Sequence, residues 1–163
     1  MPAPHPRDAR AGAAREGAGR TDTPSHSPDF DTMMRVYWED TDAGGVVFYA
    51  NYLKFFERAR TEWLRHLGVE QQALRDSSGV IFVVTDTQVS YHSPARLDDL
   101  LRITVQLRTR GTASMVMAQQ AWRGATLLAQ GQIRVGCVDA ASFRPCRMPA
   151  AMTQILQVPA HQP

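Results

Sequence analysis

YANYLKFFERARTEWLRHL, residues 49–67, sets Tyr52, Phe55, Phe56, Ala59, Trp63, Leu64 and Leu67 at spacings of three and four, while Lys54, Arg58, Glu62 and Arg65 fall largely elsewhere. That is the period of one helical face. The run predicts one long amphipathic helix from about Tyr49 to Leu67, closed by Gly68, a residue free to take the left-handed conformation that ends helices. Phe55, Phe56 and Trp63 are core or dimer packing in the first instance, and a face this wide must be covered by another layer.

Downstream the period changes to two. Leu101, Ile103, Val105 and Leu107 alternate with Arg102, Thr104, Gln106 and Arg108, which gives a strand with one buried and one wet face. Similar strands are expected over Val80 to Tyr91, Ala113 to Trp122 and Thr126 to Val138, with turns at Arg110-Gly111-Thr112 and Arg123-Gly124-Ala125. Met115 and Met117 are packing residues of these strands. Upstream, Met34 to Trp38 reads as a short strand running into an acidic, glycine-containing loop. The helix can only be covered by the sheet, so the fold class is α+β with five antiparallel strands around one long helix.

Residues 1–32 are rich in Pro, Gly, Ala, Ser and Arg, with Phe30 their only aromatic. They cannot bury enough surface to offset the entropy of ordering and are expected to be disordered. The folded domain is expected over 33–150, followed by a C-terminal tail, 151–163. Over the whole chain 44% of residues are apolar and 21% charged, the balance of a globular protein. No stretch is apolar for the length of a membrane span, and the first residues lack the apolar centre of a signal peptide. A cytoplasmic location is expected, with Cys137 and Cys146 as reduced thiols.

The net charge of +2 conceals an uneven distribution: residues 96–163 carry eight Arg against three acids. These arginines are spaced singly, without a basic run or interleaved aromatics. That argues against nucleic acid and for a small anionic ligand.

The chemistry sits in Arg35-Val-Tyr-Trp-Glu-Asp-Thr-Asp-Ala-Gly-Gly-Val-Val-Phe-Tyr-Ala-Asn-Tyr52. Two carboxylates two residues apart, then a glycine pair, then a helix start, set an acid beside free N–H groups and the positive end of a helix dipole. Such an arrangement suits acyl transfer, with a carbonyl oxygen polarised by N–H groups while a carboxylate attacks the carbon or activates water. On residues alone the plainer reading, a loop whose acids cap the next helix, stands beside it. A Ca²⁺ loop needs more oxygen ligands than Asp40, Thr41 and Asp42 supply, so no metal is expected.

The run EDTDAGGVVFYANYLKFFERARTEWLR, the strand region and the closing segment from Val138 to Pro149 resemble the 4-hydroxybenzoyl-CoA thioesterase family of hot-dog proteins, and within it the Tol-Pal-associated YbgC-type acyl-CoA thioesterases. The resemblance covers about residues 34–150. It implies the hot-dog fold and hydrolysis of an acyl-CoA to a carboxylic acid and CoA, without metal or organic cofactor. Asp42 corresponds to the nucleophile or general base. The backbone N–H of Tyr49 corresponds to the group that polarises the thioester carbonyl, and Gly44 and Gly45 let the loop lie close to the substrate. Many relatives carry His at the position of Tyr49, so only the backbone role transfers. Val46, Val47, Phe48 and Tyr52 are the expected pocket lining, and Arg108, Arg110, Thr112 and Ser114 the expected contacts to the CoA nucleotide. The implied partners are the acyl-CoA, an acyl carrier protein as a second candidate, and further copies of the chain in a homodimer or tetramer whose sites lie at subunit boundaries.

Three further residues are read structurally: Glu57 as part of a helix salt-bridge pattern, Asn51 as a cap or loop-positioning residue, and His92 as a strand-end residue rather than a base. Two rival functions stand. One is a non-catalytic module binding acyl-CoA or acyl carrier protein near the cell envelope, which would not need the Asp42 carboxylate. The other is a hot-dog dehydratase, whose chemistry uses a His that is missing between Met34 and Arg65.

Overall fold

The computed structural model describes residues 29–157. Its elements are β1 (Phe30–Arg35), α1 (Asn51–His66), α2 (Gln71–Ser78), β2 (Val80–Tyr91), β3 (Leu100–Arg110), β4 (Ser114–Arg123), β5 (Thr126–Asp139) and α3 (Ala150–Ile155), with a short 3-10 turn at Trp38–Asp40. The strands form one five-stranded sheet in the order β1-β3-β4-β5-β2, and every neighbouring pair is antiparallel. The long helix packs its apolar face on β1, β3 and β4, the hot-dog arrangement expected from the sequence. Phe55, Phe56 and Ala59 are fully buried there. Each large side chain so buried contributes roughly 1.5–3 kcal/mol relative to exposure.

The ends of the domain differ from expectation. The expected disorder of 1–32 lies largely outside the described residues, but its last part is wrong: β1 begins at Phe30 and ends at Arg35, not Met34 to Trp38. Phe30, Thr32 and Met34 turn inward in alternation, and the Leu107 N–H donates to the Asp29 carboxylate at 2.6 Å. After Arg35 the chain bends away into the 3-10 turn. The fold also runs past residue 150. Met148, Met152 and Leu156 recur every fourth residue and are buried, so α3 closes the core where a tail was expected. The helix α2 was not anticipated; none of its residues is fully buried, so its sequence shows no strong stripe.

Gly68 ends α1 with φ 80° and its N–H on the Arg65 carbonyl, as expected. β2 is an edge strand. Among the described residues, no helix is long and apolar enough to cross a membrane.

Candidate active site

The acidic loop is built from its two anchors inward. Val36, wholly buried, donates its N–H to Asp99 O at 2.9 Å and accepts from Asp98 N–H at 3.1 Å. Next, the 3-10 turn carries Asp40 into the interior, 1% exposed, where Oδ2 accepts the Tyr37 N–H at 2.9 Å. The Asp40 carbonyl accepts twice from the far side of the loop, from Asn51 Nδ2 at 2.9 Å and from the Phe48 N–H at 2.9 Å. Asn51 therefore positions the loop; it does not cap the helix.

Between these anchors the chain makes a tight turn. Thr41 and Val47 form an antiparallel bridge, the Asp42 N–H donates to Val46 O at 2.9 Å, and the Gly45 N–H donates to Asp42 O at 3.0 Å. Gly45 adopts φ 72°, a left-handed conformation in which a side chain would be strained. The Gly44 N–H donates to Asp42 Oδ1 at 2.8 Å. A Cβ on Gly44 would stand 3.1 Å from that same oxygen, so the missing side chain is what lets the carboxylate fold back over the turn. Asp42 is exposed in the single chain.

Val47 passes its N–H to Ala95 O at 2.9 Å and opens a cleft of about 540 Å³ lined by Val47, Tyr49, Tyr52, Tyr91, His92 and Pro94. Tyr49 lies just before the first helical residue, Asn51. The Asn51 N–H donates to Phe48 O and the Leu53 N–H to Ala50 O, while the N–H groups of Tyr49 and Ala50 find no acceptor among the described residues. At a helix start, such free N–H groups and the positive dipole end favour negative charge.

Tyrosines frame these groups. Tyr91 donates its hydroxyl to Tyr49 O at 3.0 Å. The Ala95 N–H donates to Tyr52 Oη at 3.2 Å. Burial pushes the Tyr52 phenol above its ordinary value, outweighing the Ala95 hydrogen bond. Burial and the neighbouring Tyr49 do the same for Tyr91. Both therefore stay neutral near pH 7. Behind the cleft, Arg123 binds Asp99 at 2.7 Å. Burial alone would raise the Asp99 carboxyl, but the Arg96 N–H and the Arg123 guanidinium outweigh it and hold it below the usual range.

The structure thus brings Asp42, Gly44, Gly45, Val47 and Tyr49 into one loop, and adds His92, Tyr91 and Asp40 to its surroundings. Phe48 lies in the same loop, exposed, its ring 4.6 Å from that of Tyr49. Nothing in the spacing of Tyr91 and His92, some forty residues downstream, pointed to this meeting.

The other expected residues lie elsewhere. Glu57 pairs with Arg60 at 2.7 Å and accepts from Thr61 Oγ1 at 2.9 Å, the helix pattern anticipated for it. Arg60 is buried and also donates to Gln119 Oε1 at 2.8 Å, and Gln119 Nε2 donates to Phe56 O at 3.0 Å. Glu57 and Arg60 also border a separate cleft beneath α2, walled by Trp63, Phe82 and Met117. Arg110 and Thr112 line a broad basic depression of about 880 Å³ together with Arg147, Met148 and Thr153; Arg108 and Ser114 do not line it. Arg147, which follows β5 in the segment Arg144-Pro145-Cys146-Arg147, was not among the expected contacts, because nothing in its spacing sets it beside Arg110. The loop of Asp42 adjoins the Ala95–Asp99 corner that leads into β3, whereas Arg110 ends β3. At about 3.3 Å per residue the two lie roughly 30 Å apart along the strand.

Comparison with known proteins bears on this site. The model of the thioesterase-like superfamily matches residues 36–156, a span that includes the acidic loop, the helix and α3. The acyl-CoA thioesterase YbgC of Haemophilus influenzae is 42% identical over 120 residues, 74% of this chain and 88% of that protein. The acyl-CoA thioester hydrolase YbgC of Escherichia coli O157:H7 is 45% identical over 124 residues, 76% of this chain and 92% of that protein. Among solved structures, a probable thioesterase from Bartonella henselae superposes with a TM-score of 0.70 at 34% identity, covering 74% of this chain and 98% of that one. With fold, acidic loop and C-terminal closure all inside the matched span, the chain belongs to the thioesterase-like superfamily, alongside the YbgC acyl-CoA thioesterases.

Proposed function

We propose that this chain hydrolyses acyl-CoA thioesters, with Asp42 acting on the acyl carbon as nucleophile or general base and the Tyr49 N–H polarising the carbonyl oxygen. The observation that carries the reading is that one loop holds a folded-back carboxylate, accepting from the Gly44 N–H at 2.8 Å, and N–H groups at Tyr49 and Ala50 that find no acceptor among the described residues, the two sides of the loop being joined by the Thr41–Val47 bridge. A carboxylate attacks or activates while the N–H groups stabilise the oxyanion that develops. The similarity to relatives named as acyl-CoA thioesterases supports the same chemistry.

The site is completed by a second copy. In one chain Asp42 faces solvent, and the arginines suited to the nucleotide phosphates stand about 30 Å away along β3. A partner chain brings its own basic surface to the acid loop, and the open edge of β2 is a surface on which two sheets can join. A homodimer is the minimum unit and a tetramer extends it. The same machinery accepts an acyl group carried by acyl carrier protein. The reading places the protein in the cytoplasm near the Tol-Pal system, in keeping with its YbgC-type sequence, and requires no metal or organic cofactor.

Free-thiol release from a panel of aliphatic and aromatic acyl-CoAs tests the activity. Catalysed release supports the reading, whereas tight binding of acyl-CoA without release supports the non-catalytic module. Rapid quenching of a single turnover separates the roles of Asp42: an acyl group is found bonded to its carboxylate if it attacks, and none forms there if it only activates water.

A further inference from the structure

The acidic loop supplies one reactive carboxylate, yet hydrolysis through an acyl-Asp42 intermediate needs a second group to activate water. The cleft at the helix start holds one imidazole. His92 lines it with Tyr49 and Tyr52, and its backbone N–H is fixed to Leu128 O at 2.8 Å, which sets where the side chain begins. The preceding residue reinforces the placement, because the Tyr91 hydroxyl on Tyr49 O ties the end of β2 to the turn that carries the oxyanion donor. We infer that His92 is the base that activates the water which releases the acyl group from Asp42. The inference rests on the thioesterase reading above and assigns Asp42 the nucleophile's role.

The steps balance as follows. A carboxylate oxygen of Asp42 forms a bond to the acyl carbon, the C–S bond breaks with its electron pair on sulfur, and CoA leaves as thiolate. Water oxygen then bonds to the acyl carbon of the resulting anhydride as its proton passes to His92. The bond to Asp42 breaks with its electron pair returning to the carboxylate, and the imidazolium passes its proton to solvent. An imidazole is suited to this step because a neutral ring carries a nitrogen lone pair that can accept water's proton.

The charged and titratable groups around the cleft come from several elements. They are Tyr49 before α1, Tyr52 on α1, Tyr91 on β2, the Arg123–Asp99 pair behind Pro94, Arg96 on the same corner, and Asp42 beyond the Thr41–Val47 bridge. None of the other groups within the cleft itself can take water's proton near neutral pH, since its tyrosines are phenols.

The test uses the full-length protein and an acyl-CoA that the wild type hydrolyses, with His92→Gln and His92→Asn. The side chain of His92 is exposed and its backbone bond survives substitution, so both variants are expected to fold. In both, steady-state turnover should fall about tenfold to a hundredfold. Release of CoA should begin with a burst of about one equivalent per site, as acyl-Asp42 accumulates, and hydroxylamine should trap that intermediate. Wild-type turnover, or slowed turnover with neither a burst nor a trapped adduct, would overturn the assignment of His92 while leaving the hydrolase reading intact. Absence of CoA release from every acyl-CoA by the wild type would instead remove the reading on which it rests.

Discussion

Replacing Gln119 by Leu probes the polar chain that crosses the core beneath α1. Gln119 is fully buried. Its Oε1 accepts from Arg60 Nη1 at 2.8 Å, its Nε2 donates to Phe56 O at 3.0 Å, and the Arg60 side chain is only 10% exposed. Leu fills about the same volume but accepts nothing. A hydrogen bond to a charged group contributes about 1.5–3 kcal/mol and a neutral one about 0.5–1.5 kcal/mol; the apolar gain from Leu offsets roughly 1 kcal/mol. The expected loss is about 2 kcal/mol. In a domain of this size that lowers the thermal midpoint by roughly 7 °C. Urea unfolding followed by circular dichroism should show the midpoint shift at unchanged slope. Adding Arg60→Met removes a guanidinium that keeps Glu57 but has lost its buried acceptor, and the double variant should cost less than the sum of the two single ones, because both singles lose the same hydrogen bond. A single substitution costing less than about 1 kcal/mol, or a double variant as unstable as the sum of the singles, would refute this account.

Gly44→Ala should lower turnover about tenfold or more with little change in thermal midpoint, because the new Cβ, 3.1 Å from Asp42 Oδ1, displaces a flexible carboxylate and not the backbone; unchanged turnover would contradict the placement of that oxygen. Stability should fall at acid pH. The Asp99 carboxyl is depressed in the fold, so its contribution is complete above the unfolded value near about 3.9 and is lost as pH falls through the folded one. Asp99→Asn should therefore make the dependence on pH below about 4 shallower, and identical slopes in wild type and variant would remove the argument. Burial, then the Cys146 thiol 3.8 Å away, pushes the Cys137 thiol up to about 12. Iodoacetamide near pH 8 should accordingly mark Cys146 and spare Cys137, read by mass spectrometry, and equal labelling would show Cys137 to be accessible.

The helix and the central strands were legible because their apolar residues repeat with the period of the element itself, as Phe55, Phe56, Ala59 and Trp63 do on α1 and Leu101, Ile103 and Val105 on β3. The ends of the domain were not. Phe30 sits among polar and small residues whose composition outweighs a six-residue alternation, and α3 is a single short turn whose meaning comes from where Met152 and Leu156 dock. The acidic loop was legible as a motif, since Asp42, Gly44 and Gly45 are adjacent in the chain. Its supports were not, because Tyr91 and His92 reach Tyr49 only through the topology that carries the end of β2 past the helix start. The expected nucleotide contacts show the reverse: Arg110 and Thr112 do share a surface, but the length of β3 sets it far from the acid of the same chain.

The most direct test of the account is turnover of acyl-CoA by Asp42→Asn. Asp42 is exposed and its side chain is held by one hydrogen bond, from Gly44, so the variant should unfold at the wild-type temperature and still bind acyl-CoA, while releasing CoA at least about a hundredfold more slowly. Turnover within a few-fold of wild type by a correctly folded variant would contradict the claim that this carboxylate acts on the acyl carbon.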